Sequence, residues 1–147
     1  MMKAKRIAAM AAVIALVFPI LSALPARAQE RMSDKDVEQR IKNMDEDIKK
    51  FRSMFSSAIG KTSLRKTTQE KDDKKLVQDF QGQSKSLYDK FKSTKKADPY
   101  LQTLLSMQPQ IEGIFHSAQF DSATVAQWEK IKPQLKVLAV QFNVPGY

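Results

Sequence analysis

The fold is decided by residues 33–60, which read SDKDVEQRIKNMDEDIKKFRSMFSSAIG. Apolar side chains recur there at alternating spacings of four and three residues, at Val37, Ile41, Met44, Ile48, Phe51, Phe55 and Ala58. This spacing is typical of an a/d heptad seam, the apolar stripe along one side of a helix. Ser33 with Asp36 suits a helix start, and Gly60 suits a helix end. The stretch therefore predicts an amphipathic helix over residues 34–59.

The outer face of this first helix is charged, and acids precede bases by four residues. The pairs are Asp36–Arg40, Glu38–Lys42, Asp45–Lys49 and Glu46–Lys50. This order is the favourable one for ion pairs on a helix surface. We expect the pairs to be exposed and each to add little to stability.

Three further seams predict helices over residues 67–94, 99–119 and 122–143. Their apolar positions include Val77, Phe80, Leu87 and Phe91, then Leu101, Leu104, Ile111 and Phe115, then Val125, Trp128, Ile131, Leu135 and Leu138. Thr67 with Glu70 suits a helix start, and Asp98 before Pro99 suits an N-cap followed by proline in the first turn. No segment alternates with a period of two residues, so no sheet is expected. The chain is predicted to be all-α, an up-down-up-down antiparallel four-helix bundle after a cleaved signal peptide.

The four seams align with one another when consecutive helices run antiparallel. One set of layers satisfies all three helix–helix connections: Val37-Phe91-Leu104-Leu138, Ile41-Leu87-Gln108-Leu135, Met44-Ser84-Ile111-Ile131, Ile48-Phe80-Phe115-Trp128 and Phe51-Val77-Ala118-Val125. Two polar residues, Ser84 and Gln108, fall on these seams. They set the helix register, lie at the core boundary, or line a gap in the core.

The first 28 residues have the features of a bacterial signal peptide. Lys3, Lys5 and Arg6 precede an apolar run, which Pro19 interrupts, and the segment ends in Ala26-Arg27-Ala28. A small residue on each side of a variable one is what signal peptidase recognises. We expect cleavage before Gln29, a periplasmic or secreted product, and no stable membrane span after cleavage.

Residues 29–147 are then a single domain, the predicted bundle. Cleavage removes Lys3, Lys5, Arg6 and Arg27, so the formal net charge of +9 falls to +5. The chain has no cysteine. This excludes disulfides, thiolate metal sites, iron–sulfur clusters and covalent haem attachment. The domain is moderately basic, and we expect no nucleic acid partner.

The sequence offers no defensible catalytic or cofactor site. His116 is the only histidine, and Glu112 lies four residues before it, whereas a metal site needs three or four ligands. Exported haem cytochromes resemble the predicted architecture, and some bind haem through one methionine and one histidine. This resemblance covers no motif, and Phe80, Phe115 and Trp128 are predicted to fill the layers near Met44 and His116. We therefore expect no cofactor, no metal and no enzymatic activity.

The most suggestive surface feature is a basic turn between the second and third helices. It contains four lysines within seven residues, Lys90, Lys92, Lys95 and Lys96, flanked by Tyr88 and Tyr100. Lysines at a helix C-terminus are ordinary, because they complement the helix dipole. The other interpretation is a contact site for an anionic surface.

These observations predict an exported, non-enzymatic bundle that acts by contact with another envelope protein or an anionic surface. The specific partner is not readable from the sequence. A small helical chaperone of the envelope is an alternative, although the Leu-Thr-x-x-Gln motifs of the chaperones it resembles are absent. A non-covalent haem or metal carrier is the third candidate.

Overall fold

The computed structural model describes residues 30–147, and the predicted signal peptide lies outside them. Within this range there are four helices and no strand: α1 Asp34–Ile59, α2 Thr68–Thr94, α3 Asp98–Ser117 and α4 Ser122–Gln141. The prediction of an all-helical fold with four helices is confirmed.

Each helix packs against two of the other three. α1 and α3 both contact α2 and α4, while α1 and α3 lie diagonally opposite. The start of α1 meets the end of α2, where Lys95 Nζ lies 2.7 Å from Glu38 Oε2. It also meets the end of α4, where the Met32 amide donates to Gln141 Oε1 over 3.0 Å. α1 is therefore antiparallel to both neighbours, as in a four-helix bundle.

Side-chain caps explain where three of the helices begin. Ser33 and Thr67 accept hydrogen bonds from amides in the first turns of α1 and α2, and both caps were predicted. Asp121 caps α4 in the same way. The predicted N-cap of α3 is wrong. Ala97 occupies that position without a side-chain bond, and Asp98 is already helical.

Two helices end two residues earlier than predicted. α3 stops at Ser117 because Ala118 adopts an extended conformation, with φ −151° and ψ 155°. α4 stops at Gln141, and Asn143 takes the left-handed conformation, with φ +51°, that commonly ends a helix.

The apolar core follows the predicted seams closely in α1 and α2. Every predicted seam residue of these two helices is buried, including the polar Ser84. In α4, Trp128, Ile131, Leu135 and Leu138 are buried, and Val125 is half-buried. Most of the predicted layers therefore contribute to one core.

The seam of α3 was predicted only in part. Gln108, Phe115 and Ala118 are half-buried rather than buried. The structure instead buries Leu105, Met107 and Ile114. α3 has apolar residues on both sides of its heptad seam, so a wider stripe than the a/d positions can face the core.

Within residues 30–147, neither polar seam residue forms a side-chain hydrogen bond to another helix. Ser84 is fully buried, yet its hydroxyl has no hydrogen-bond partner. Gln108 donates to Glu112 of its own helix over 3.1 Å. The core-boundary interpretation fits Gln108, whereas Ser84 lies fully inside the core.

Candidate functional site

The four lysines of the basic turn are all exposed. They do not form one patch. Successive residues of a helix are rotated by about 100°, so Lys90 and Lys92 point about 200° apart around α2. Although these two charges are close in the sequence, they therefore lie on different sides of the bundle.

Lys92 and Lys95 lie on the side of α2 that faces α1. Lys95 caps α2 in a left-handed conformation, with φ +56°, and its Nζ pairs with Glu38 at 2.7 Å. The hydrogen bond from Lys95 lowers the pKa of Glu38, and the charges of Lys95 and Lys92 act in the same direction. Lys92 Nζ lies 5.9 Å from the centre of the half-buried Tyr88 ring. Glu38 therefore offsets part of the positive charge that the sequence predicted here.

Lys96 lies at the end of the bundle rather than on its side. With Lys95 it lines a pocket of about 260 Å³ between the ends of α1, α2 and α4. Val37 and Phe91 contribute apolar surface to the pocket, while Asp34 and Asp98 add negative charge. The pocket has no single sign of charge, so it does not select an anion by charge alone.

A groove of about 430 Å³ runs along the surface between α1 and α2. It is lined by Asp34, Lys35, Glu38, Gln39, Lys42, Tyr88 and Lys95. The lysines of α1 in this groove were not among the predicted site residues. Their spacing of seven residues, which keeps them on one side of the helix, was the available signal.

A polar network with three side-chain donors links α1 to α4 around Asp47. Its carboxylate accepts hydrogen bonds from Lys130 at 2.7 Å, Gln134 at 2.8 Å and Gln127 at 3.3 Å. Burial alone raises the pKa of Asp47, but these three hydrogen bonds outweigh it and lower the pKa below its ordinary value. Because the donors satisfy the carboxylate, the network holds the two helices together. No pattern in the sequence predicted this network.

His116 and Met44 do not come together as a haem-binding pair. His116 is exposed, whereas Met44 is fully buried. Phe80 and Trp128, which were predicted to fill the neighbouring layer, are both buried, with ring centres 5.7 Å apart. Among residues 30–147, no group of three or more His, Cys, Asp and Glu side chains is placed to hold a metal ion.

None of the four described helices is both long and apolar enough to cross a bilayer. Comparisons with family models, with curated proteins and with solved structures give no match to this chain.

Proposed function

We propose that the chain is an exported, non-enzymatic helical bundle that acts by binding an anionic envelope surface or another envelope protein. The observation that supports this most directly is the exposure of Lys90, Lys92, Lys95 and Lys96 in a domain with a well-filled core. Exposed lysines attract anionic partners over the Debye length without requiring a shaped pocket.

Export is part of the proposal and rests on the N-terminal sequence. Residues 1–28 combine a basic start, an apolar run and the Ala26-Arg27-Ala28 site. Cleavage there releases a periplasmic or secreted up-down-up-down bundle that begins at Gln29. The Met32 amide is bonded to α4, so the proposed cut lies three residues before the first cross-helix contact.

Two measurements separate this proposal from its alternatives. Suppression of client aggregation at stoichiometric amounts would favour the envelope chaperone. A visible absorption band in the protein purified from the periplasm would favour a haem carrier. The proposed function predicts neither.

The direct test uses the full-length gene in a Gram-negative host. We expect to find the product in the periplasmic or culture fraction. The purified product should bind anionic vesicles, but not neutral ones, at low salt. Retention in the cytoplasm, or equal binding to neutral and anionic vesicles, would contradict the proposal.

A further inference from the structure

The two halves of the bundle differ in charge. Residues 30–97 contain eighteen Lys and Arg against twelve Asp and Glu, whereas residues 98–147 contain three against four. The first range holds α1 and α2, which are neighbours, and the second holds α3 and α4. The whole positive excess of the described domain therefore lies in the half that contains α1, α2 and the segments next to them.

On α1, two cross-helix contacts identify the side that faces α2. Glu38 pairs with Lys95, and Arg52 donates to Gln81 Oε1 over 3.1 Å. Positions spaced by three, four or seven residues share a side of a helix. The basic residues on this side of α1 are Lys35, Lys42, Lys49 and Arg52.

α2 presents a matching row toward α1. Gln81 and Lys95 mark this side, because both contact α1. Residues at the corresponding spacings include Tyr88 and the cations Lys71, Lys74, Lys85, Lys92 and Lys95. We call these two rows together the α1–α2 face.

The acids on the α1–α2 face are few and already paired. Glu38 is bound by Lys95, and the buried Asp45 is bound by Lys49 at 2.6 Å. Lys74 and Lys85 pair with acids of their own helix. Within residues 30–147, the basic side chains of this face that form no ion pair are those of Lys35, Lys42, Arg52, Lys71 and Lys92.

The opposite face, between α3 and α4, is balanced. Lys132 lies 2.7 Å from Glu129 and 3.8 Å from Glu112. Lys136, four residues after Lys132, is the one further cation on this side of α3 and α4. The basic excess of the α1–α2 face is thus not matched on the α3–α4 face.

We infer that the α1–α2 face docks on an anionic phospholipid bilayer, with the bundle lying on its side; this rests on the proposed function and names its partner and surface. The α1 row extends from Lys35 to Arg52, about 26 Å at a rise of about 1.5 Å per residue. The second row lies on the adjacent helix, about 8–10 Å away. A planar bilayer contacts both rows at once, whereas an extended polyanion follows one of them.

The attraction is electrostatic rather than insertional. Tyr147 is the one large apolar side chain that is exposed in residues 30–147, and it lies in the C-terminal tail. Each lysine or arginine near an anionic leaflet adds to the binding, so removal of a few charges has a measurable effect.

Three charge-reversal pairs test the inference, and each alters the net charge by the same amount. Lys42→Glu with Lys92→Glu changes the α1–α2 face. Lys50→Glu with Lys136→Glu is the matched control, because both lysines are exposed, lie off this face and form no ion pair within residues 30–147. Lys90→Glu with Lys96→Glu changes the turn. Circular dichroism and thermal unfolding confirm that each variant folds.

Binding is measured by co-sedimentation of the exported protein with vesicles of phosphatidylglycerol and phosphatidylcholine. We expect the α1–α2 face variant to lose at least about tenfold in partition coefficient and the control less than about threefold. Equal losses in all three variants would show that only net charge matters and would overturn the inference. A loss confined to the Lys90 and Lys96 variant would also overturn it while leaving the proposed function intact.

Two further outcomes concern the partner. Binding by the parent protein to soluble polyphosphate but not to vesicles would overturn the assignment to a bilayer. No binding to either anion would overturn the inference and the anionic-surface form of the proposed function together.

Discussion

Gln127 of α4 donates from its buried side-chain amide to the backbone carbonyl of Asp47 in α1, over 3.0 Å. The bond joins residues 80 positions apart in the chain. It ties one turn of α4 to one turn of α1 and so helps to set the height at which the two helices pack. The carboxylate of the same Asp47 binds Lys130 and Gln134, one turn and two turns further along α4.

Replacement of Gln127 should therefore weaken the bundle. We expect Gln127→Ala to lower the free energy of unfolding by about 1–3 kcal/mol, because a buried hydrogen bond and its packing are lost. The exposed Gln102→Ala on α3 is the control and should cost less than about 0.5 kcal/mol. Urea denaturation measures both, and equal losses would contradict a structural role for the bond.

Ile48→Ala tests the position of the α1 seam. Ile48 is fully buried, so its truncation should cost about 2–5 kcal/mol in unfolding free energy, as for other central core side chains. The exposed Ser53→Ala on the same helix should cost less than about 0.5 kcal/mol. A loss below about 1 kcal/mol for Ile48→Ala would mean that the core is not packed as described.

Lys49 should contribute more to the free energy of unfolding than the sequence pattern predicted for an exposed ion pair. It was predicted to form an exposed pair, but the Asp45 side chain is only 6% exposed, and its second oxygen has no hydrogen-bond partner. Lys49→Ala leaves this carboxylate buried and unpaired, so we expect a loss of about 1–3 kcal/mol in unfolding free energy. Lys42→Ala, which breaks no ion pair within residues 30–147, should cost less than about 0.5 kcal/mol.

A second substitution tests whether the loss of stability in Lys49→Ala comes from the unpaired carboxylate of Asp45. Adding Asp45→Leu to Lys49→Ala removes the unpaired carboxylate, so the double variant should recover most of the lost stability. Denaturation of both variants decides this. Failure of the second substitution to restore any stability would show that the loss comes from something other than the buried acid.

Asp73 provides a test by pH. It continues the α2 seam four residues before Val77, and burial raises the pKa of its carboxyl despite the hydrogen bond from Gln69. A raised pKa in the folded state means that burying the ionised carboxylate costs free energy and opposes folding. This opposition is complete above the folded pKa and disappears as the pH falls below the ordinary value near 3.8.

Asp73→Leu should therefore stabilise the bundle at pH 7, and the gain should shrink as the pH is lowered from 7 to below the ordinary value of 3.8. Gln78→Leu, an exposed position on the same helix, controls for a general effect of added apolar surface. Unfolding curves across this pH range provide the measurement. A gain that does not change with pH would contradict a cost of burying the ionised acid.

Intact-mass spectrometry tests the proposed cleavage. The exported protein should begin at Gln29, because Ala26-Arg27-Ala28 is the small-residue site after the apolar run. A mass that retains residues 1–28 in a membrane fraction would contradict release of the bundle.

The sequence predicted α1 and α2 well because their seams are narrow and their other positions are strongly polar. In the observed register the seam residues from Val37 to Ala58 are buried, and Asp45 is the one charged side chain of α1 that is buried with them. α3 carries few charges, so several rotations bury a comparable apolar area, and tertiary packing chooses Leu105 and Ile114 over Phe115. Heptad positions alone do not resolve that choice.

The candidate site was predicted by composition but not by geometry. Lys90 and Lys92 are only two residues apart in the sequence but point to different sides of α2. Lys95 binds Glu38 across the bundle, although the sequence pattern paired Glu38 with Lys42. Such contacts depend on how two helices meet, which local patterns do not encode.

The proposal that this bundle binds an anionic surface is tested most directly by the salt dependence of vesicle binding. The exported protein is titrated with vesicles containing phosphatidylglycerol at about 0.02 M and about 0.5 M salt, where the Debye length falls from over 20 Å to under 5 Å. We expect binding at low salt and its almost complete loss at high salt. Absence of binding at low salt, or binding that high salt leaves unchanged, would contradict the proposal.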